Sequence, residues 1–248
     1  MLIVAHVCAF THRGRVRAQN EDTIVVGDWV SPLEMREPRI SHHSLAPPLV
    51  CAVADGLGGH RAGEVASRHA ARQLARAGAA LASVDGVQET LRRIDNELYA
   101  AMAQDAGCAG MGTTIAGLVL GERLIWFNVG DSRLYRFRGG DLAQVSVDDT
   151  PPGLRSGLIT QSLGGALQPQ PVRPHVGEEE LSVPSRFLLC SDGLTDMLDD
   201  GDIADCLRLP DADAVAQLFD RAMRAGGADN VSIVVVSVED GELRDHSL

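Results

Sequence analysis

The order of apolar patterns along the chain limits its possible folds more than any other feature. Apolar residues recur at the helical spacing of about 3.6 over 62–81 and 86–104, and two further helices are predicted near 200–208 and 211–225. Before, between and after these helix pairs, the apolar residues form short runs that are typical of strands. Because the strands gather in blocks instead of alternating singly with helices, the pattern favours a β-sandwich covered by helices over a βαβ fold.

The strand predictions define the rest of the fold. Strand-like runs lie at the N-terminus and at 23–27, 49–54, 186–190 and 231–238. A block of strands fills 112–146, where GlyGly at 139–140 predicts a hairpin. Segment 31–48 contains four prolines and is expected to be a loop. We therefore expect one α+β domain spanning residues 1–248.

Charge and cysteine usage exclude several classes of function. The formal net charge is −12, which disfavours nonspecific binding to nucleic acid or to an anionic membrane. All 22 basic residues are arginine, so chemistry that needs a phosphate-loop or Schiff-base lysine is excluded. The five cysteines are scattered and form no CxxC pair, as expected in a reducing compartment. With no run of transmembrane length, we expect a cytoplasmic protein.

Acidic residues stand where apolar strands are predicted to end or begin. Asp55 follows the run 49–54, Asp192 follows 186–190, and Asp229 precedes the last strand. Each alone would be only a turn residue. If the strands are sheet neighbours, however, three carboxylates meet, and they would repel each other unless a cation lay between them. An all-oxygen ligand set suits Mg²⁺ or Mn²⁺ better than zinc.

The glycine-rich stretch CAVADGLGGHRAGE at 51–64 has a second conceivable role, as a loop that cradles a phosphate. GlyLeuGlyGly matches neither GxGxxG nor GxxxxGK[ST], and the preceding aspartate would repel a phosphate. We therefore interpret these glycines as allowing the backbone to approach a metal ion.

Seven motifs, in order from residue 14 to residue 232, carry a resemblance to a known family. They are GlyArgValArg–AlaGlnAsnGluAsp, AlaAspGlyLeuGlyGlyHis, GlyThrThr, GlyAspSerArg, GlnSerLeuGly, CysSerAspGlyLeuThrAsp and AspAsnValSer. In this order they resemble the metal-dependent type-2C serine/threonine protein phosphatases, particularly the bacterial ones. The resemblance covers essentially the whole chain. It implies two packed antiparallel sheets flanked by helix pairs (α-β-β-α layers), with a binuclear metal site at one end of the sandwich.

The resemblance also implies a ligand set for two Mn²⁺ or Mg²⁺ ions. By its motif, Asp55 bridges both metals and the Gly56 carbonyl binds the second. Asp192 and Asp229 bind the first metal. Glu21 and Asp22 resemble the acidic pair that reaches the metals through water, although Asp22 taken alone would be a turn or cap residue.

Two further assignments follow from the same motifs. Arg17 stands four residues before Glu21, where the family places its phosphate-binding arginine; taken alone, it would be a surface arginine. Asp131, together with Asp192 or Asp196, matches the residues that hold a weaker third metal in bacterial members. A turn and a solvated helix face are the plainer interpretations of Asp131 and Asp196.

The implied chemistry is hydrolysis of phosphoserine and phosphothreonine by a water or hydroxide bridging the two ions. Arg17 would bind the phosphoryl oxygens bidentately. No protein nucleophile is evident, since Ser132 and Ser191 lack a recognisable base and no cysteine lies in a CX5R loop.

Two features depart from the family pattern. Some members carry a general-acid histidine two residues after the bridging aspartate, where this chain has Leu57. His60 lies five residues after that aspartate, so a structural hydrogen bond is the expected role for His60. The flap segment near 148–162 is shortened, which bears on substrate selection and on the third metal.

The expected partners are a phosphorylated protein substrate and a cognate Ser/Thr kinase, with a secretion-system gene cluster as a weaker association. We expect a monomer that binds neither nucleic acid nor membrane. Two alternatives remain open: a catalytically silent binding module on the same fold, and a phosphohydrolase of small phosphoesters. Loss of a metal carboxylate would mark the first, but Asp55, Asp192 and Asp229 are all present.

Overall fold

A computed structural model describes residues 3–57, 62–151 and 158–241. The strands of these ranges are β1 (Ile3–His12), β2 (Thr23–Val26), β3 (Trp29–Val30), β4 (Arg39–Ser44), β5 (Leu49–Ala54), β6 (Gly56–Leu57), β7 (Gly112–Thr113), β8 (Ile115–Leu120), β9 (Arg123–Val129), β10 (Arg133–Arg138), β11 (Asp141–Gln144), β12 (Leu163–Gly164), β13 (His175–Glu180), β14 (Ser185–Cys190) and β15 (Val231–Asp240). The helices are α1 (Ala62–Ala77), α2 (Val84–Gln104), α3 (Asp192–Thr195), α4 (Asp200–Cys206) and α5 (Asp211–Arg224).

The strands form two six-stranded sheets and one small sheet. Sheet I has the order β11-β10-β14-β15-β1-β4, and sheet II has the order β13-β9-β8-β5-β2-β3. All the pairings within them are antiparallel. A three-stranded sheet, β12-β7-β6, adjoins the residues that follow Asp55. The expected pair of antiparallel sheets is therefore confirmed.

Three apolar layers hold the elements together. Alternate residues of each central strand face opposite ways, so each sheet has two apolar faces. The outer face of sheet II packs against α1 and α2, for example at Leu74 and Leu91. The outer face of sheet I packs against the three C-terminal helices, for example at Leu218. The inner faces meet in a middle layer that contains Ile24 and Phe187. The result is the predicted α-β-β-α order.

The predicted helices and the hairpin are found close to their expected positions. The first helix is shorter than predicted, because it ends at Ala77 and the chain continues through Gly78, whose φ is +50°. Gly139 and Gly140, with φ of 61° and 97°, form the turn between β10 and β11. These positive φ angles are what a two-residue hairpin turn requires.

Segment 31–48 is not entirely a loop, and that prediction was wrong. Its residues Arg39–Ser44 form β4, which pairs with β1 at the edge of sheet I. The prolines lie outside the strand, so they bound β4 and do not interrupt it. The pattern was missed because an edge strand buries few apolar side chains, and Ile40 is exposed.

Two further findings concern the cysteines and the helices. All five cysteines are free, as the sequence predicted. None of the described helices combines the length and the apolar character needed to span a membrane.

Candidate metal centre

Paired strands bring acidic residues from distant parts of the sequence to one end of the sandwich. In sheet II, Asp22 precedes β2 and Asp55 follows β5, and these strands pair with Thr23 opposite Ala54. In sheet I, Asp192 follows β14 and Asp229 precedes β15, and these two strands are also neighbours. Each sheet therefore contributes one pair of carboxylates.

These carboxylates are close enough to shift one another's pKa. Burial raises the pKa of Asp55 well above its ordinary value, and the carboxylates of Asp22, Asp192 and Asp229 raise it further. Burial also raises the pKa of Asp192 to about 7, with added contributions from Asp131 and Asp229. Asp55, Asp192 and Asp229 thus lie close enough to influence one another electrostatically, and Asp22 lies with them. Such a cluster is stable only if protons or cations offset its charge.

Asp22 is the most buried member of the cluster, with 0% of its surface exposed. Its Oδ2 accepts hydrogen bonds from Ser191 Oγ at 2.8 Å and from Ser232 Oγ at 2.7 Å. Burial raises the pKa of Asp22 to about 6, while these two hydroxyl groups act in the opposite direction. Ser232 Oγ also lies 2.8 Å from Thr11 Oγ1, so a chain of hydroxyl groups fixes the carboxylate.

The loop between β1 and β2 crosses from sheet I to sheet II and carries Arg17 and Glu21. Arg17 is exposed, and its Nη2 lies 2.5 Å from Asp229 Oδ2. Asn230 holds the rest of the loop through its side chain. Its Oδ1 accepts from Glu21 N at 2.8 Å, and its Nδ2 donates to the carbonyls of Arg13 and Gln19 at 3.1 and 2.9 Å.

Backbone contacts fix the chain on either side of the Asp55 side chain. The Asp55 carbonyl accepts hydrogen bonds from Thr113 Oγ1 at 2.8 Å and from Thr114 N at 2.9 Å. At Gly56, a Cβ atom would lie 2.4 Å from the Gly63 carbonyl oxygen. Only glycine therefore allows this close approach of two backbone segments.

A second acidic group adjoins the first. Asp131 precedes β10 and is 9% exposed. Burial raises its pKa to about 6, and the carboxylates of Asp148 and Asp196 contribute to the rise. Asp196 is exposed and stands at the end of α3, where its N–H donates to the Asp192 carbonyl at 2.7 Å. Arg133 holds Asp148 in place, with 2.7 Å between Nη2 and Oδ2.

The carboxylates gather without surrounding a single point. Within the ranges that the structure describes, no three His, Cys, Asp or Glu side chains already form a set able to hold a metal ion. Arg17 binds Asp229, and the hydroxyl groups of Ser191 and Ser232 hold Asp22 beside β14 and β15. Among the described residues, the buried oxygens Asp22 Oδ1 and Asp192 Oδ1 nevertheless have no hydrogen-bond partner. Buried orphan oxygens of this kind fit a cation and its waters.

Sequence reasoning missed the residues that support the acidic cluster. The motif AspAsnValSer contains Asn230 and Ser232 but indicates no role for either, and the sequence analysis weighs Ser191 only as a nucleophile. Ser191 and Ser132 are both fully buried, and Ser132 Oγ lies 2.7 Å from Thr114 Oγ1. The available signal was position, because Ser191 and Asn230 adjoin the strand-end aspartates Asp192 and Asp229.

Some sequence predictions lie outside the described residues. These are the loop glycines Gly58 and Gly59, the hydrogen bond expected of His60, and the part of the flap at 152–157. The described ends of the flap are anchored. Asp149 accepts from Gly130 N at 2.9 Å, and its other oxygen lies 2.9 Å from His175 Nε2.

Comparisons with known proteins identify the family and the fold. The family model described as "Protein phosphatase 2C" matches residues 39–236. The chain is 33% identical over 258 residues to the serine/threonine protein phosphatase PstP of Mycobacterium tuberculosis, covering 96% of this chain and 46% of PstP. It therefore spans about half the length of that relative.

Two solved structures share the fold. The crystal structure of the catalytic domain of PstP in complex with two manganese ions is 32% identical, with a TM-score of 0.78 and coverage of 96% of this chain and 100% of that one. PppA, described as a key regulatory component of T6SS in Pseudomonas aeruginosa, is 27% identical, with a TM-score of 0.78 and coverage of 95% and 99%. The family match covers most of the chain, and both structures reproduce the two-sheet architecture. The chain belongs to the protein phosphatase 2C family.

Proposed function

We propose that the protein is a metal-dependent phosphatase that hydrolyses phosphoserine and phosphothreonine in proteins. One observation carries the proposal: both sheets deliver carboxylates to one end of the sandwich, beside an exposed arginine. Residues 1–248 would form a single catalytic domain, consistent with the layered core. The likeness to PstP, which is a serine/threonine protein phosphatase, supports the same activity.

The residues present fit two Mn²⁺ or Mg²⁺ ions. The proposed direct ligands are Asp55 between the two ions, the Gly56 carbonyl, Asp192 and Asp229. All are hard oxygen donors, the type that these ions prefer. PstP binds two manganese ions in its solved catalytic domain, which supports the assignment. When bound, two such ions lower the pKa of water so that hydroxide is available near neutral pH.

The remaining acidic residues would bind the two ions through water or would hold a third ion. Glu21 and Asp22 would act through water, and the unpartnered Asp22 Oδ1 is suited to accept from such a water. Asp131, with Asp192 or Asp196, would hold a weaker third ion. The charge of Asp196 contributes to the raised pKa of Asp131, which supports the pairing.

Arg17 binds the phosphoryl group in the proposed reaction. Its guanidinium now contacts Asp229, and it would exchange that carboxylate for two phosphoryl oxygens. With 58% of its side chain exposed, the arginine can reorient at little cost. A lysine would not supply the same two-pronged contact. Ser132 and Ser191 would not attack the phosphorus, since both are buried and hydrogen-bonded.

The substrate would be a phosphorylated protein, and a Ser/Thr kinase would be its natural counterpart. The likeness to PppA supports a place in a secretion-system context, as a weaker association. The proposed protein is a cytoplasmic monomer. It would bind neither nucleic acid nor an anionic membrane, which agrees with the net charge of −12. The flap segment near 148–162 is short in sequence, which bears on substrate selection and on the third ion.

Phosphate release from a phosphothreonine peptide tests the proposal, first with EDTA and then with added Mn²⁺. Manganese-dependent turnover should be lost in Asp192→Asn and retained in the matched control Asp141→Asn, which changes an exposed carboxylate on β11. Turnover that survives both EDTA and Asp192→Asn would refute the metal-dependent mechanism. Faster turnover of nucleotides than of peptides would instead favour a phosphohydrolase of small phosphoesters.

A further inference from the structure

A groove of about 730 Å³ opens beside the candidate metal centre. It is lined by Arg13 and by residues 18–20, 33–34 and 64–65. One wall belongs to the loop that carries Arg17 and Glu21, and the opposite wall is the first turn of α1. The groove therefore adjoins the loop that carries Arg17, the residue proposed to bind the phosphoryl group.

Hydrogen bonds between its walls keep the groove formed without a ligand. Asn20 Nδ2 donates to the Leu33 carbonyl at 2.6 Å, which joins the loop to residues 33–34. Ser67 Oγ donates to the Glu21 carbonyl at 2.5 Å, which joins α1 to the same loop. Since these contacts are made within the protein, a ligand need not supply the free energy of ordering the groove.

The two glutamates of the groove differ in whether they already contact a basic side chain. Glu34 is already paired, with its Oε1 3.1 Å from His12 Nε2. Glu64 has no ion pair among the described residues, and its charge is felt by Glu21. Beside it, Val65 leaves 46% of its surface exposed, an apolar contact next to an available carboxylate. This combination suits a long basic side chain, which has an apolar stem and a cationic end.

We propose that this groove receives the substrate residues on one side of the phosphorylated serine or threonine, and that Glu64 selects an arginine or lysine there. The inference rests on the proposed function. Arg13 lies on the opposite wall. Among the described residues its guanidinium makes one 3.5 Å contact, with the Ala18 carbonyl, so it supplies a positive charge that orients the peptide along the groove. We name residues 13, 18–20, 33–34 and 64–65 the Glu64 groove.

The test uses phosphothreonine peptides with alanine flanks, in which a single arginine or a single glutamate replaces each flanking residue in turn. At saturating Mn²⁺, kcat/KM for the best arginine peptide should exceed that of the all-alanine peptide by about two- to fivefold, the range of a partly exposed ion pair. Glu64→Gln should abolish that preference. Glu64→Arg should shift it to glutamate at the same position.

The control variant Glu89→Gln removes an exposed charge on α2, away from the groove, and should leave the preference unchanged. Each preference is a ratio between two peptides on one preparation, so a partly folded variant does not distort it. An arginine scan that is flat in the wild type, or a preference that persists in Glu64→Gln, would overturn the inference. Absence of turnover on every peptide, the all-alanine one included, would instead count against the proposed phosphatase activity.

Discussion

Asn230→Ala is predicted to loosen the loop that carries Arg17. The Asn230 side chain is 5% exposed and makes three hydrogen bonds to the backbone of Arg13, Gln19 and Glu21, at 3.1, 2.9 and 2.8 Å. A hydrogen bond of this kind contributes about 1 kcal/mol net, so losing all three costs at most about 3 kcal/mol. Because Arg13 and Gln19 are exposed, water replaces part of the loss. We expect the free energy of unfolding to fall by about 2 kcal/mol.

Urea unfolding in EDTA measures this loss, and peptide kinetics in Mn²⁺ measure its effect on the site. Since the loop sets the position of the Arg17 guanidinium, KM for a phosphothreonine peptide should rise. The control is Asn96→Ala, an exposed asparagine on α2 whose loss should change stability by no more than about 0.5 kcal/mol. If Asn230→Ala matches that control in both stability and KM, the hydrogen bonds do not hold the loop and the reasoning is refuted.

Three further predictions concern the site itself. Gly56→Ala should destabilise the protein by about 1 to 3 kcal/mol in thermal melts, since the added Cβ would lie 2.4 Å from the Gly63 carbonyl oxygen. The control Gly121→Ala should not, because its Cβ would lie 3.4 Å from the nearest atom, Cγ of Pro48. In EDTA, the free energy of unfolding should be greater at pH 5 than at pH 8. The pKa values of Asp22 and Asp192 in the folded state are raised to about 6 and about 7, so protonation of these carboxyl groups stabilises the folded state. This stabilisation is lost as the pH rises through about 6 and about 7. Equal urea midpoints at pH 5 and pH 8 would contradict the prediction. Arg17→Lys should raise KM for the peptide about tenfold or more, by loss of a charge-assisted hydrogen bond, and an unchanged KM would show that Arg17 does not bind phosphate.

Much of the fold could be predicted because the central strands are apolar and the long helices are amphipathic. The elements that escaped prediction are edge strands or short pieces. The edge strand β13 carries three successive glutamates, and β4 carries two histidines between serines, so neither has an apolar pattern. The short helix α3 has only four residues, too few for a period to show.

The candidate site also has a part that the sequence predicts and a part that it does not. Asp55, Asp192 and Asp229 could be predicted because each stands next to a buried apolar run, and the family motifs added Arg17 and Glu21. The support of the site could not be predicted. The bonds from Ser191 and Ser232 to Asp22 join residues 169 and 210 positions apart. Such contacts exist only once β14 and β15 are paired and sheet I is stacked on sheet II.

Because the two sheets are stacked, the apolar layer between them helps to set the positions of the four carboxylates. Asp22 and Asp55 adjoin strands of sheet II, whereas Asp192 and Asp229 adjoin strands of sheet I. The spacing between the two pairs therefore depends on side chains such as Phe187, which fill the space between the sheets far from any phosphate. Close-packed interiors transmit small changes of volume. A conservative substitution in this layer is therefore expected to shift one pair of carboxylates relative to the other, and so to alter the proposed metal site.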